Sequence, residues 1–155
     1  MSVHDALEDA VSAFMPGQPL MGLDLGTRTI GVALSDLRWR IATPLETIRR
    51  RKFGTDAAAL LAIAGDRGAG GIVLGLPRNM DGSEGPRCQS TRAFARNLAG
   101  LTDLAITFWD ERLSTVAAER ALLEADESRA KRAGVIDHVA AGFILQGALD
   151  RLQHL

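Results

Sequence analysis

The fold is decided by residues 20–35, which read LMGLDLGTRTIGVALS. Residues 20–25 are almost all apolar, as is typical of a strand covered on both faces. The residues Gly26-Thr27-Arg28 predict a turn, because a glycine beside polar residues interrupts the apolar run. Residues 29–35 alternate apolar side chains with small or polar ones, which predicts a second strand running back along the first.

Strands and helices alternate downstream of this pair. Residues 40–48 predict a third strand at a sheet edge, because Pro44 cannot donate a hydrogen bond to a neighbour. Apolar periodicity and turn residues predict strands over 70–75 and 105–109 and helices over 55–66, 86–98, 114–125 and 135–152. This order predicts an α/β fold: a mixed five-stranded sheet, its first three strands an antiparallel meander, with helices on both faces.

The chain before this core is acidic. Residues 1–18 contain three acidic residues as their only charged side chains, and they contain no Lys or Arg. The segment therefore differs from a secretory signal and from a transit peptide. We predict that 1–18 is an N-terminal acidic extension, either a short helix over 5–14 or a flexible segment, and that 19–155 forms a single domain.

Composition narrows the possible functions. Hydrophobic residues make up 46% of the 155 and charged residues 24%, which is ordinary for a globular protein and argues against disorder. The formal net charge of −1 excludes a polycation that coats nucleic acid by charge alone. The single cysteine, Cys88, excludes an intramolecular disulfide and a multi-cysteine zinc site, and we predict that it lies in a helix core. No apolar run approaches the ~20 residues of a membrane span, so we expect a cytoplasmic protein that contacts no membrane.

Three carboxylates lie where carboxylates are costly. Asp24 lies inside the first apolar strand, where an unpaired charge is expensive to bury, although it could simply cap the following turn. Glu111 follows the strand over 105–109, at the end where α/β sheets collect ligands, although it could simply pair with Arg112. Asp137 falls on the apolar stripe of the last helix, in its first turn, where the helix dipole also favours an anion.

Asp24, Glu111 and Asp137 can converge although they lie far apart in the chain. Like charges at close range raise one another's pKa, so such a cluster requires a counter-charge. Hard divalent cations with oxygen ligands supply it, and we predict Mg²⁺ or Mn²⁺. Two such ions, about 3.5–4 Å apart with substrate bound, activate a water and stabilise the leaving oxygen in phosphodiester cleavage.

Four motifs carry a family resemblance: GLDLGTRTIGVALSD at 22–36, GLPRNMDGSEGP at 75–86, DERLST at 110–115 and GVIDHVAA at 134–141. In this order they resemble the YqgF family over residues 20–152. Members of that family adopt a ribonuclease H-like fold and are described as pre-16S rRNA nucleases or Holliday junction resolvases. The resemblance implies a ribonuclease H-like nuclease domain and a metal-dependent hydrolase of phosphodiester bonds.

The resemblance also implies that Asp24, Glu111 and Asp137 are the catalytic and metal-binding acids. It leaves the substrate open. We expect structured RNA, chiefly the 5′ end of pre-16S rRNA during ribosome biogenesis and possible contacts with ribosomal precursor particles; the alternative is a Holliday junction in DNA recombination or repair. The chain could act as a monomer or as a homodimer. His138 stands where the family leads us to expect a small polar residue, and its ring could crowd the site or contact substrate.

Basic residues lie close in sequence to the site segments, as suits phosphate contacts that position a nucleic-acid backbone. The candidates are Arg28, Arg78, Arg87, Arg112, Arg129, Lys131 and Arg132. Each of them could instead be a solvated surface charge. The run Arg49-Arg50-Arg51-Lys52 could form a phosphate-binding patch or could block pairing at the sheet edge.

Three further alternatives stay open. The polar loop over 76–85 could be a mobile lid, a loop that recognises the structure of the substrate, or a plain connector. Residues 24–27 also resemble the phosphate loop of sugar kinases and actin-like ATPases, but those proteins close a cleft between two such cores, and 155 residues provide one. A non-catalytic module that binds nucleic acid or ribosomal precursors would use none of the carboxylates for chemistry.

Overall fold

The structure of the protein, a computed structural model, describes residues 2–113 and 133–155, and their side chains except those of 133–137. Its strands are β1 (Ser2–His4), β2 (Leu20–Leu25), β3 (Thr29–Ser35), β4 (Ala42–Arg49), β5 (Gly71–Leu76) and β6 (Ala105–Asp110). Its α-helices are α1 (Leu7–Ala10), α2 (Phe53–Arg67), α3 (Pro86–Ala99) and α4 (Ala133–Leu152). Short 3-10 turns follow α1 at Val11–Ala13 and β6 at Glu111–Leu113. The helix predicted over 114–125 and most of the loop predicted over 126–133 lie outside the described residues.

The strands form one mixed sheet in the order β1-β6-β5-β2-β3-β4. Strands β2, β3 and β4 are antiparallel neighbours, while β2, β5, β6 and β1 pair in parallel. The predicted meander and the edge position of β4 are therefore confirmed. The predicted count of five strands is wrong, because β1 adds a sixth. Strand β1 has three residues and its apolar Val3 is 37% exposed, so the sequence carries no periodic burial signal there.

The acidic N-terminal segment packs onto the sheet. Strand β1 pairs with β6 at the sheet edge, and Thr107 donates a hydrogen bond of 2.9 Å to the His4 carbonyl. The helix predicted over 5–14 is shorter, covering α1 and a 3-10 turn, but it buries Leu7, Ala10 and Phe14. These three side chains pack in the same core as α4.

Helices cover both faces of the sheet, as predicted. On one face α2 and α3 pack on side chains such as Met21, Leu23 and Ile72. On the other face α4 packs on the alternate side chains, such as Leu20 and Val73. Because neighbouring residues of a strand point to opposite faces, each central strand contributes to both cores. No helix among the described residues is long and apolar enough to span a membrane.

Candidate active site

Asp24 lies near the carboxyl end of β2, on the sheet face that α4 covers. Gly22 faces α4, since a Cβ atom at that position would approach Leu145 Cβ to 2.7 Å. Asp24 is two residues further along the strand and therefore lies on the same face. Its cross-strand neighbour is Gly31, which has no side chain, and Asp24 is only 3% exposed. The sequence-based prediction of a buried carboxylate in this strand is confirmed.

Glu111 begins the 3-10 turn that follows β6. Its carboxylate lies over β5, because a Cβ atom added to Gly75 would approach Glu111 Oε2 to 2.9 Å and Ile144 Cδ1 to 2.5 Å. Gly75 pairs with Trp109 of β6, and β5 pairs with β2 on its other side. The absence of a side chain at Gly75 thus leaves the space in which the Glu111 carboxylate and α4 meet the sheet.

Helix α4 runs antiparallel to β4, and its residue His138 lies at the level of Asp24. Near the start of the helix, the His138 ring is hydrogen-bonded to the Thr47 hydroxyl at 2.8 Å. Thr47 pairs with Gly31 of β3, which in turn pairs with Asp24. Two turns along the helix, the Gln146 side chain accepts a hydrogen bond from the backbone of Ala42, at the other end of β4.

Asp137 directly precedes His138 in α4, so its backbone lies at this end of the sheet. Its side chain lies outside the described part of the structure. Asp24 lies on β2, and the Glu111 carboxylate, which follows β6, lies over the intervening strand β5 on the same face. Adjacent strands are spaced by about 4.8 Å. Asp24 and Glu111 both offer carboxylate oxygens, the donor type that Mg²⁺ and Mn²⁺ prefer. Among the side chains that the structure describes, no three acidic, His or Cys residues are grouped closely enough to hold an ion.

Asp110 and Arg112 form an ion pair beside Glu111. The Arg112 guanidinium donates to the Asp110 carboxylate at 3.1 Å from Nε and 2.7 Å from Nη2. Burial alone would raise the pKa of Asp110, but the hydrogen bonds and charge of Arg112 outweigh it and hold that pKa below its ordinary value. Arg112 therefore supports the turn that carries Glu111, and this pair was not predicted from the sequence.

The loop over 76–85 is held in a defined conformation. The backbone N–H of Asn79 donates to the Ser83 carbonyl at 2.9 Å, and the Ser83 hydroxyl donates to Asp81 at 2.6 Å. Gly82 has a φ of +89°, a left-handed conformation that favours glycine, and it packs against the Arg112 guanidinium. These contacts hold the loop in one conformation and therefore give no support to a mobile lid.

Arg78, one of the candidate phosphate contacts, belongs to a network of ion pairs. Its Nη2 lies 3.3 Å from Glu84, which also pairs with Arg92 at 2.7 Å. Arg92 then reaches Asp5 of the N-terminal segment at 2.6 Å. The hydrogen bonds from Arg92 hold the pKa of Glu84 below its ordinary value. No sequence spacing signals this network, because Asp5 and Arg92 are 87 residues apart.

The other basic candidates divide into two groups. Arg28 is exposed in the turn after β2, and Arg87 is exposed at the start of α3, where it donates a weak hydrogen bond to the Leu25 carbonyl at 3.4 Å. Arg129, Lys131 and Arg132 lie outside the described residues. Arg28 and Arg87 therefore flank the carboxyl end of β2. This is the position expected of residues that contact a phosphate near Asp24.

Cys88 is fully buried in α3, which confirms its predicted place in a helix core. Burial raises the pKa of its thiol, and the nearby Glu84 carboxylate raises it further. A thiol held in its protonated form is a poor nucleophile, so Cys88 is not a candidate nucleophile.

Comparison with known proteins identifies the family. A family model described as RuvX, Holliday junction resolvase, matches residues 18–151. The chain belongs to the RuvX family. This match confirms the resemblance carried by the four sequence motifs, since the RuvX model describes YqgF-type sequences.

Relatives of the RuvX chain are similar over nearly their whole length. A protein of Ruegeria pomeroyi named "Putative pre-16S rRNA nuclease" is 70% identical over 153 residues, which covers 99% of each chain. A Rhodobacter capsulatus protein of the same name is 68% identical over 149 residues, covering 96% of this chain and 94% of the relative.

Solved structures place the RuvX chain in a fold class. The structure of Thermus thermophilus RuvC superposes with a TM-score of 0.55 at 12% identity, covering 88% of this chain and 97% of RuvC. A Thermus thermophilus RuvC in complex with a Holliday junction substrate gives a TM-score of 0.54 with 88% and 96% coverage. The predicted ribonuclease H-like α/β class is confirmed.

Proposed function

We propose that this protein is a metal-dependent endonuclease that hydrolyses phosphodiester bonds in structured nucleic acid. The observation that carries the proposal is the placement of Asp24 and Glu111. Asp24 is buried on the α4 face of β2, and the Glu111 carboxylate lies over Gly75 on the same face of neighbouring β5. Asp137 is the third acid of the proposed site; because α4 begins at Ala133, two residues earlier than predicted, Asp137 lies in the second turn of the helix and not in its first.

The three acids would hold one or two Mg²⁺ or Mn²⁺ ions. Ions bound there would activate a water and stabilise the leaving oxygen of the cleaved bond. Asp24 supplies a donor that the sheet fixes in place, because its strand is buried on both faces. Glu111 supplies a donor from a turn that the Asp110–Arg112 ion pair supports. The carboxylates of Asp24 and Glu111 allow a substrate phosphate to bind only when a cation lies between them, because without it their negative charges would repel the phosphate.

We infer that the substrate is the 5′ end of pre-16S rRNA, processed in the cytoplasm during ribosome biogenesis. Support comes from relatives named for that activity that are about 70% identical over nearly the whole chain. The family model begins at residue 18, which supports our proposal of a nuclease domain over 19–155. The proposed acidic extension over 1–18 lies before that match and packs onto the same sheet through β1.

Holliday junction resolution is the second candidate, favoured by the description of the family model. Symmetric cleavage of a four-way junction requires two sites, and symmetric dimers supply them. A homodimer would therefore support resolution of junctions, while a monomer that cleaves a precursor rRNA end would support processing. Size-exclusion chromatography with light scattering distinguishes the two assemblies.

Cleavage assays test the proposal. Wild-type protein, Asp24→Asn, Glu111→Gln and Asp137→Asn would each be incubated with a precursor rRNA end and with a DNA four-way junction, at one salt concentration with Mg²⁺. The salt is fixed because backbone binding depends strongly on ionic strength. Asp103→Asn is the matched control, since Asp103 is an exposed acid before β6, at the opposite end of that strand from Glu111.

We expect each of the three site variants to lose at least about a hundredfold in rate, equivalent to roughly 3 kcal/mol of transition-state stabilisation. Asp103→Asn should cleave like the wild type. Thermal melts check that the variants are folded. Unchanged cleavage by a folded Asp24→Asn would contradict the assignment, and metal-independent binding without turnover on either substrate would favour a non-catalytic module.

A further inference from the structure

We propose that a patch of exposed basic side chains beside the carboxylates binds the phosphates that flank the cleaved bond. The patch consists of Arg28, Arg49, Arg51 and Lys52, and we name it the β4 ridge. All four residues are exposed. The inference rests on the proposed nuclease function and adds to it a surface for the substrate backbone, outside the residues that carry the chemistry.

The β4 ridge and the carboxylates lie at the same end of the strands: Asp24 is near the carboxyl end of β2, and Arg49 is the last residue of β4. Arg28 is in the turn that follows the Asp24 strand, and Arg49 is paired with Thr29 at the start of β3. The backbone N–H of Arg50 donates to the Arg28 carbonyl at 2.8 Å, which joins the two parts of the ridge. Strand β4 is two strands from β2, so the ridge extends about 10 Å sideways from the carboxylate strand.

The backbone beneath the ridge is held by other side chains. Arg50 donates to the Gly26 carbonyl at 2.7 Å, and its guanidinium lies over the Phe94 ring at 5.7 Å. Asp56 of α2 accepts a hydrogen bond of 2.9 Å from the Arg51 backbone. Arg50 is thus used internally, while the side chains on both sides of it, Arg49 and Arg51, face solvent. A fixed backbone lowers the entropy cost of placing several cations on one ligand.

The side chains of the ridge form no ion pair with the residues that the structure describes. Ion pairs among those residues occupy Arg78, Arg92, Arg112 and Arg151. Cations without an acidic partner are available to replace the counterions of a nucleic acid, and release of those counterions drives binding. The basic residues nearest in sequence to Glu111 and to the 76–85 loop are by contrast already paired.

The alternative role of the run, protection of the sheet edge, is filled by other features. The pairing of β3 with β4 shifts register between Val32 and Ala33, and Pro44 interrupts the donors of β4. Strand β4 ends at Arg49, so Arg51 and Lys52 lie beyond the strand edge that would need protection. The geometry therefore assigns the exposed cations to ligand binding.

Binding measured without metal tests this assignment separately from cleavage. Fluorescence anisotropy in EDTA would follow two probes, a duplex RNA with a single-stranded 5′ end and a DNA four-way junction, from 50 to 300 mM salt. The triple variant R28Q/R49Q/R51Q removes three charges from the ridge. The matched control, R38Q/R40Q/R67Q, removes three exposed charges near the other end of β4 and the end of α2.

We expect the slope of log K against log salt to become shallower by roughly 2 to 3 for the ridge variant, and to change little for the control. The conservative variant R28K/R49K/R51K should retain the wild-type slope, since phosphate contacts need charge rather than a specific side chain. Equal slopes for the ridge variant and its control, in folded proteins, would overturn the proposal. So would a wild-type protein that binds neither probe.

The two proposals fail in different ways. If the ridge binds nucleic acid in EDTA but the wild type cleaves nothing with Mg²⁺, the nuclease assignment fails and the ridge stands. If cleavage depends on Asp24 but the ridge variant binds and cleaves like its control, the proposal that the β4 ridge binds phosphates is wrong and the nuclease assignment is retained. A larger loss on one probe than on the other tells whether the ridge follows an RNA duplex or the arm of a DNA junction.

Discussion

Substitution of Gly75 by alanine tests whether the Glu111 carboxylate must occupy its observed position. The added Cβ atom would lie 2.9 Å from Glu111 Oε2 and 2.5 Å from Ile144 Cδ1. Ordinary contacts of a Cβ atom begin at about 3.4 Å, so the carboxylate oxygen must move by about 0.5 Å and the Ile144 methyl by about 0.9 Å. Both atoms are at the ends of flexible side chains, so each can move without displacing the backbone.

The expected effects on stability and on activity therefore differ in size. Overpacking of a core costs about 1–3 kcal/mol, and loss of the glycine's backbone freedom in the unfolded chain returns about 0.4–1 kcal/mol. The net loss of unfolding free energy should lie between about 0 and 2.6 kcal/mol, which is the difference of those ranges. A misplacement of 1 Å in a catalytic group costs about a hundredfold in rate, so a displacement of this order should lower cleavage by ten- to a hundredfold.

The assay compares Gly75→Ala with Gly71→Ala. Gly71 lies in the same strand on the same sheet face, four residues earlier and about 13 Å away, and its added Cβ would meet the Phe14 ring rather than a carboxylate. Unfolding free energies from urea titration give the folded fraction of each variant. Cleavage rates with Mg²⁺ are then expressed per folded molecule.

We expect Gly71→Ala to lose stability but to cleave like the wild type per folded molecule. Gly75→Ala should lose both stability and cleavage rate per folded molecule. The reasoning is refuted if Gly75→Ala cleaves at the wild-type rate once the folded fraction is taken into account, because the Glu111 position would then not matter. It is also refuted if Gly71→Ala loses the same activity, since the effect would then reflect a general change in β5.

Three smaller predictions follow from the charges, the thiol and one helix end. The Arg92 hydrogen bonds lower the pKa of Glu84, so the stabilisation of the fold by ionised Glu84 is present above about pH 4.5 and is lost as pH falls through the lower folded pKa. Arg92→Gln should therefore lower the free energy of unfolding by about 1–3 kcal/mol at pH 7 and by less at pH 3. Urea titration at both pH values measures the difference. Cys88 should react with a thiol reagent only at the rate of unfolding, and fast labelling of the folded protein would contradict its burial. Gly68 ends α2 with a φ of +66°, so Gly68→Ala should lower the unfolding free energy by about 1–2 kcal/mol, whereas the solvent-exposed Gly54→Ala at the other end of that helix should not.

Local patterns predicted the centre of this fold. Strands β2 and β3 have the predicted bounds, 20–25 and 29–35, because burial on one or both faces leaves a strong imprint on side-chain type. Helix ends moved by one or two residues, as at α2, which begins at Phe53 instead of residue 55. Helix termini depend on hydrogen bonds such as the one that the Arg51 backbone N–H donates to the Asp56 carboxylate, and side-chain periodicity does not encode such bonds.

The sequence predicted only the part of the candidate site that burial makes recognisable. Asp24 was conspicuous because a charge in an apolar strand is costly, and the structure buries it as expected. The space at Gly75 for Glu111 depends on the register of β5 with β6, and register is a property of the assembled sheet. The Asp5–Arg92–Glu84 network depends on contacts between distant segments and had no local signal.

The position of β1 has a consequence for how the chain is made. The His4 carbonyl accepts a hydrogen bond from Thr107, so β1 leaves the ribosome before a partner that is synthesised 103 residues later. At about 5–20 residues per second, that interval lasts about 5–20 s. The order of translation is therefore not the order of strand pairing. Strand β1 therefore cannot pair with β6 until most of the sheet has been translated.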